Sequence, residues 1–424
     1  MFWYVLYNAV IVPVGWILFK FLGLFNAKVR RGIKGRKHLF DKLRQEVSKL
    51  NPKRKRIWFH SSSMGEFEQA KPIIARLKQQ HPDVDVIVSF FSPSGYEHSK
   101  NYKLASLITY LPFDSSGNAK VFVNIIKPSA AVMIRYDVWP NHLWALRSAG
   151  VPTFIANATL GNNAVRNLPL IKQFHQSMYN ALDYILTVSE SDKKAFEKFE
   201  VKQPVLEIVG DTRYDQVWQR SAESKNRHLL SDKVLSGKKV IVVGSSWEED
   251  ENHLLPAFYS LAKQDEQLLM ILVPHEPTVE NLERIESEMN GYASSIRFSN
   301  LQDYGNQKVI IIDSVGILMP LYQYAHVAYV GGSFRQGIHN VLEPAAYGLP
   351  VIMGPKYDNS HEAKRMVLNG SAFVGEDVAA IAGHLHTLLY NDKQREEAGS
   401  LSLTLVRENV GATERVLSYL EKVL

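Results

Sequence analysis

HNVLEPAAYGLPVIMGPKYDNSHE, His339 to Glu362, preceded by YVGGSF from Tyr329 to Phe334, is the stretch that decides the fold. The apolar run Val327–Val330 reads as a buried strand ending at Gly331-Gly332. A polar loop follows, then a short helix from about Asn340 to Tyr347, then Gly348-Leu349-Pro350 and a second apolar run that ends at Gly354-Pro355. Strand, glycine loop, helix, strand is the unit of a doubly wound α/β domain, whose ligands bind outside the carboxyl ends of the strands. Such a loop offers backbone N–H groups and the positive end of a helix, which suit a phosphate. Asn340 and Glu343 fall near the start of the helix, where a carboxylate can accept ribose hydroxyls; a buried α/β turn with a capping Asn is the alternative.

The same periodicity extends along the chain. Apolar runs at Ile57–Phe59, Val84–Phe91, Leu107–Leu111, Ala130–Ile134, Thr153–Ala156, Tyr184–Val188 and Val205–Val209 alternate with helical patterns, as parallel crossover units require. A second set begins at Lys239 and continues through Leu268–Val273, Val309–Ile312, Val327–Val330 and Val351–Met353. Between the sets, residues 217–238 are polar and poor in strand formers, which places a linker there. Two α/β domains, 28–216 and 239–412, are expected, with a terminal helix over 413–424.

A length of 424 residues fits two such domains, and 46% hydrophobic with 22% charged residues excludes a disordered chain. Cysteine is absent, so disulfides and thiolate metal sites are impossible. The 14 histidines form no H-E-x-x-H pattern, which leaves zinc without its usual ligands. The net charge of +6 is concentrated: residues 28–56 hold thirteen Lys/Arg and two Asp/Glu, a local +11 that leaves −5 for the rest. This patch is expected to hold the protein at an anionic bilayer, a solvated linker being the alternative, and no nucleic-acid partner is expected.

That terminus, MFWYVLYNAVIVPVGWILFKFLGLF, is long enough to cross a bilayer core, which takes roughly 20 residues. Its basic residues follow rather than precede the apolar part, unlike a cleaved signal, and would put the body of the protein in the cytoplasm. Pro13, Lys20 and the aromatic residues equally allow a helix lying in the membrane interface, and a helix packed on the protein's own domain is the third reading. Residues 1–27 are therefore expected to form a membrane-associated helix.

Three groups of residues at strand ends can carry chemistry. In His60-Ser-Ser-Ser-Met-Gly-Glu66, Glu66 opens a helix directly after a strand and can act as a general base, or can simply favour the helix dipole by about 0.3–1 kcal/mol. Ser63 and Gly65 share its loop; a Ser-His nucleophile is disfavoured by the lack of a G-x-S-x-G elbow. In Arg135-Tyr-Asp-Val-Trp-Pro-Asn141, Asp137 and Asn141 can orient a polyhydroxy ligand, and Trp139 can stack on a sugar. In the third group Arg213, Ser245, Ser246 and His275 each follow a strand and can meet a phosphate, or can each belong to a solvated loop. Neither G-x-G-x-x-G after a strand nor G-x-x-x-x-G-K-[ST] occurs, so dinucleotide and Walker-type sites are not indicated.

Taken in order, WFHSSSMGE (58–66), LPFD (111–114), Val-Trp-Pro-Asn (138–141), GDTRYD (210–215), GSSWEEDE (244–251), DSVGILMPLY (313–322) and the 329–362 block resemble the 3-deoxy-D-manno-octulosonic acid (Kdo) transferases. The resemblance covers nearly the whole chain. It implies a GT-B glycosyltransferase, two Rossmann-like domains facing a central cleft, at the cytoplasmic face of the inner membrane. It also implies inverting transfer from CMP-Kdo to a lipid A precursor, with no cofactor and no metal. By the same resemblance Glu66 is the catalytic base, Ser63 and Gly65 shape the acceptor site, and Gly332, Ser333, Asn340, Glu343, Asn359 and Glu362 belong to donor binding. Three positions depart from the family. His275-Glu276 stands where Arg-His is usual, Arg213 where Lys is usual, and Arg135-Tyr-Asp137 where Glu-x-Glu is usual. A UDP- or GDP-sugar transferase and a non-catalytic sugar-nucleotide binder are the alternative readings.

Overall fold

Strands buried on both faces must be apolar along their whole length, and such strands make two parallel sheets here. The structure, a computed structural model, describes residues 2–161 and 164–424. The chain forms two compact units, one of residues 1–216 with 410–424 and one of 217–409. In the first unit seven strands are ordered β3-β2-β1-β4-β5-β6-β7. They are β1 (Arg56–Ser61), β2 (Asp85–Phe90), β3 (Leu107–Tyr110), β4 (Ala130–Ile134), β5 (Thr153–Ala158), β6 (Tyr184–Thr187) and β7 (Val205–Ile208). In the second unit the order is β10-β11-β9-β8-β12-β13-β14. Its strands are β8 (Lys239–Ser246), β9 (Leu268–Pro274), β10 (Ser295–Arg297), β11 (Val309–Ile311), β12 (Val327–Val330), β13 (Val351–Met353) and β14 (Ala372–Val374). Each unit is Rossmann-like: the earlier strands lie to one side of the first strand, and the chain then restarts beside that strand and winds the other way. That reversal lies between β1 and β4 in one unit and between β8 and β12 in the other.

The periodicity does not announce β10 or β14. Both are three residues long and sit at sheet edges, where a strand need not be apolar throughout. The segment expected as a linker carries helical structure instead: a helix over Thr212–Ser224 and another over Asp232–Leu235. The final helix, Ala412–Leu420, belongs to the first unit, where Val416, Leu417 and Leu420 are buried.

The N-terminal segment Phe2–Phe25 is one continuous helix, with a π-helical turn over Tyr7–Ile11. It lies along the first unit rather than projecting from it. Tyr7 donates to Asp114 at 2.8 Å, and the amides of Asn8 and Asn141 exchange hydrogen bonds of 2.8 and 3.0 Å. Trp144 meets Tyr4 and Tyr7, Phe174 meets Trp3 and Tyr7, and Phe19 meets Phe91 and Phe113. The opposite face, including Phe2, Val10, Val14, Ile17, Phe21 and Phe25, is exposed. Of the basic residues that follow, Arg36 is structural: it donates to the carbonyls of Leu111 and Phe91 and lies over the Phe91 ring.

Candidate functional site

In the first unit the loops after β1 and β4 flank the reversal point. The helix Met64–Gln80 starts with a capping box in which the Glu66 amide donates to Ser63 Oγ while the Glu66 carboxylate returns to the backbone. Glu66 Oε2 accepts from the N–H groups of Ser62 at 2.6 Å and Ser63 at 3.1 Å. Oε1 has no hydrogen-bond partner among the described residues, so one oxygen is pinned and the other is available. The side chain is 7% exposed. Burial first, and the Asp137 charge second, push its carboxyl above the usual range, against the hydrogen bonds from Ser63 and Ser62.

Asp137 is held by the neighbouring loop. Its Oδ2 meets His60 Nε2 at 2.8 Å and accepts from the Ser62 hydroxyl and from Trp139 Nε1. Burial raises this carboxyl, but the hydrogen bonds from His60, Ser62 and Trp139 outweigh it and hold Asp137 below the usual range. His60 is itself anchored through Nδ1 to Ser89 Oγ at 2.8 Å. His60 is therefore a buried positioning group, and it joins no nucleophilic serine. Two carboxylates of opposite tendency now stand side by side, the pattern that separates a base from a permanently ionised partner.

Arg135, directly after β4, has a left-handed backbone (φ 64°), as has Asn157 in β5 (φ 52°). Such conformations cost energy in non-glycine residues and persist where the surroundings fix them. Asn157 is fixed by Thr212, which it meets through both amide atoms. Arg213 lies in this unit too and doubles onto Asp211, with Nε at 2.8 Å and Nη2 at 2.6 Å from Oδ2. Asn141 is 2% exposed and engaged by Asn8 and Asp114, so it docks the N-terminal helix. Gly65, one residue before Glu66, has open space where a side chain would start.

In the second unit the loops after β8 and β12 flank the reversal point and touch. A Cβ on Gly331 would collide with the Ser245 carbonyl, and one on Gly332 (φ 96°) with that of Gly337. The free N–H cradle expected there is filled from within. Asp250 accepts from the N–H groups of Gly332 at 2.7 Å and Trp247 at 3.0 Å, and also from that of Phe334. Burial pushes the Asp250 carboxyl up, against those bonds. An added phosphate would meet this carboxylate, so the Gly332 amide is not its anchor. Ser246 donates to the buried Glu251 at 2.7 Å, which Arg284 neutralises. Ser245 (φ 56°) stays half-exposed.

An aromatic column stands beside this loop. His275 stacks on His339 at 4.5 Å and lies 4.4 Å from Trp247, over which the Arg335 guanidinium sits at 4.1 Å. Trp247 Nε1 donates to His339 Nε2 at 2.9 Å, and burial with the His275 charge pushes His339 down to about 4. Among the described residues Lys356 reaches only carbonyls, those of Phe334 and Arg335. Ser333 Oγ is fully buried without a partner among the described residues. Asn340 caps Leu342 and meets Glu343 at 3.3 Å, Asn359 grips both backbone atoms of Ile338, and Glu362 accepts from Ser360. Sequence reasoning passed over Asp250, Arg335 and His339. The acidic run after Gly244-Ser-Ser-Trp was the available signal for the first; nothing in the spacing marks the other two. Among the described residues no group of three or more His, Asp or Glu is arranged around a metal position.

A family model described as 3-deoxy-D-manno-octulosonic-acid transferase (kdotransferase) matches residues 36–216, the unit that carries Glu66. The 3-deoxy-D-manno-octulosonic acid transferase of Haemophilus influenzae is 26% identical over 428 residues, covering 100% of this chain and 99% of that protein. The enzyme of the same name from Aquifex aeolicus is 28% identical over 343 residues, 80% of this chain and 87% of its own. The solved UDP-GlcNAc 2-epimerase of Neisseria meningitidis shares the fold, with a TM-score of 0.59, 14% identity and coverage of 87% of this chain and 100% of that one. With two doubly wound units, a Kdo-transferase family model over the first of them and a relative matched from end to end, the chain is similar along its whole length to the Kdo transferases and has a GT-B fold.

Proposed function

We propose that the protein transfers Kdo from CMP-Kdo to a lipid A precursor, with inversion, without a metal, at the cytoplasmic face of the inner membrane. The observation that carries this reading is the Glu66 carboxylate: buried, raised, pinned through Oε2 and open at Oε1. In the proposed step Glu66 Oε1 takes the proton from a sugar hydroxyl of the acceptor. The hydroxyl oxygen forms the new bond to the Kdo anomeric carbon as the bond to CMP breaks, and CMP leaves with the electron pair. Asp137, kept ionised by His60 and Ser62, raises the basicity of Glu66 by its charge. Ser63 and Gly65 shape the acceptor loop. Ser245, His275, Arg335 and Lys356 are the groups of the second unit suited to the CMP phosphate, because their donors or charges are not held by buried carboxylates. Glu343 with Asn340 would take the ribose, Asn359 and Glu362 closing that loop. Arg213 turns Nε and Nη2 onto Asp211, which partly neutralises the charge it would bring to a phosphate. The outer face of the N-terminal helix and the basic segment 28–56 would seat the first unit on an anionic bilayer, where lipid acceptors reside.

The deciding experiment is transfer of labelled Kdo from CMP-Kdo, generated in place, to a tetraacylated lipid A precursor by wild type and by Glu66→Ala. Product from the wild type alone, with the variant folded, supports both reaction and base. Product from both removes Glu66 from its role. No product from intact wild type overturns the Kdo assignment.

A further inference from the structure

Arg135 is a cation for which the fold supplies no counter-charge. Its side chain makes no ion pair and no hydrogen bond among the described residues, and its Nε is buried without an acceptor. Buried donors are ordinarily satisfied, so an orphaned guanidinium N–H beside a reaction centre points to an acceptor atom that arrives with a ligand. The backbone commits to this arrangement. Arg135 is left-handed at φ 64°, its N–H is tied to the Ala156 carbonyl at 2.9 Å, and its guanidinium lies 5.3 Å from the centre of the exposed Tyr136 ring.

The loop also delivers Asp137, two residues on, to His60 and Ser62. Strand β4 pairs with β1 in register His60 to Met133, so Arg135 and the Ser62–Glu66 turn both leave the sheet at the same end of adjacent strands. An anionic acceptor approaching two carboxylates is repelled unless a cation answers it. A guanidinium answers an oxyanion best, because its planar fork makes two parallel hydrogen bonds.

Resting on the reading of Glu66 as acceptor-side base, we propose that Arg135 binds an oxyanion carried by the acceptor, a phosphate monoester or a sugar carboxylate, near the hydroxyl that is glycosylated. The family's usual carboxylate at this position would repel the same group, so Arg135 sets which acceptors this chain prefers.

The test compares Arg135→Gln and Arg135→Lys with wild type on three acceptors: a bisphosphorylated disaccharide lipid, its dephosphorylated form, and the dephosphorylated form already bearing one Kdo carboxylate. Removing a charge-assisted pair should raise the KM of Arg135→Gln for the favoured anionic acceptor about 10- to 100-fold, with donor KM unchanged. Lysine should recover part of the loss, and the neutral acceptor should not distinguish the proteins. The acceptor on which the loss appears identifies the oxyanion. Equal KM values for wild type and Arg135→Gln on both anionic acceptors overturn the proposal while leaving Kdo transfer standing. Calorimetric titration of the full chain in detergent with the three lipids, without donor, decides the point independently of turnover. If wild type transfers no Kdo, weaker binding of an anionic lipid by Arg135→Gln still supports the anion site, and equal binding removes it. The charge reversal Arg135→Glu, at matched thermal stability, should reject the same lipid more strongly than Arg135→Gln.

Discussion

Glu66 and Asp137 differ by their hydrogen bonds more than by their burial. Asp137 receives three side-chain donors, whereas Glu66 receives two backbone N–H groups on one oxygen. The consequence can be read as a pH profile. Glu66 must be ionised to take a proton, and its carboxyl is pushed up, so transfer should fall as pH drops through that raised value, at a higher pH than for an ordinary glutamate. Asp137→Asn removes the second cause of the shift and should move the acid limb to lower pH; an unmoved limb in kcat against pH would sink the coupling. Stability carries the opposite sign. A carboxyl raised in the folded state favours the fold while protonated, and that contribution is lost as pH rises through the folded value. Glu66→Gln cannot ionise. It should lose about 10²–10⁴-fold in kcat, yet melt no lower than wild type at neutral pH and alike at acid pH. A lower neutral Tm would show that the carboxylate's backbone bonds dominate. The sequence made Glu66 visible because a carboxylate after a strand and a small-residue loop has few roles. It could not show His60 as the clamp of Asp137, since their contact spans 77 residues and depends on the pairing of β1 with β4.

At the scale of elements, long parallel strands were legible because each is a continuous apolar run, while β10 and β14 are too short to leave one. The glycine loop after β12 was legible as a turn but not as a filled one, because its occupant, Asp250, comes from 82 residues earlier. The N-terminal helix shows the same limit. Its composition allows a span, an interfacial helix or a packed helix, and only the partners on the first unit distinguish them. Asn141→Ala removes both bonds to Asn8, which keeps only the Tyr4 carbonyl and the Ser116 N–H among the described residues, and takes the Asn141 amide away from the buried Asp114 carbonyl. Each unsatisfied group costs about 1–3 kcal/mol, and the cost falls on helix docking. The variant should release the helix to limited proteolysis near Ala27 while the strands β1 to β7 keep their hydrogen-exchange protection. Proteolysis at the wild-type rate would mean that the aromatic contacts of Trp144 and Phe174 suffice alone.

At the scale of the whole molecule, the chain closes its first unit with its last residues. Asp215, at the end of the first pass, accepts from the N–H groups of Gly411 at 2.6 Å and Thr413 at 2.8 Å, and from the Thr413 hydroxyl at 2.9 Å. A carboxylate at a helix start satisfies orphan donors and complements the dipole. Arg415 donates to the Val209 carbonyl at 2.7 Å, and Glu414 pairs with Arg76. Val416, Leu417 and Leu420 then complete the core that holds Phe67, Ile73, Ile74 and Leu77, the inner face of the helix that Glu66 opens. Glu66 is thus supported by residues made some 350 positions later. Periodicity marked a terminal helix without saying which unit would bury it, because an apolar stripe does not name its partner. Leu417→Ala should cost the first unit about 2–4 kcal/mol, as a buried leucine does when its cavity relaxes only partly. Hydrogen exchange on the full chain checks this locally. Amides of Met64–Gln80 and of β1 and β2 should lose protection, while β8, β9 and β12 keep theirs, since distant sites without shared partners respond independently. Equal loss in both sheets would mean that the two units unfold as one, and the closing helix would then stabilise the entire chain rather than the half that carries Glu66.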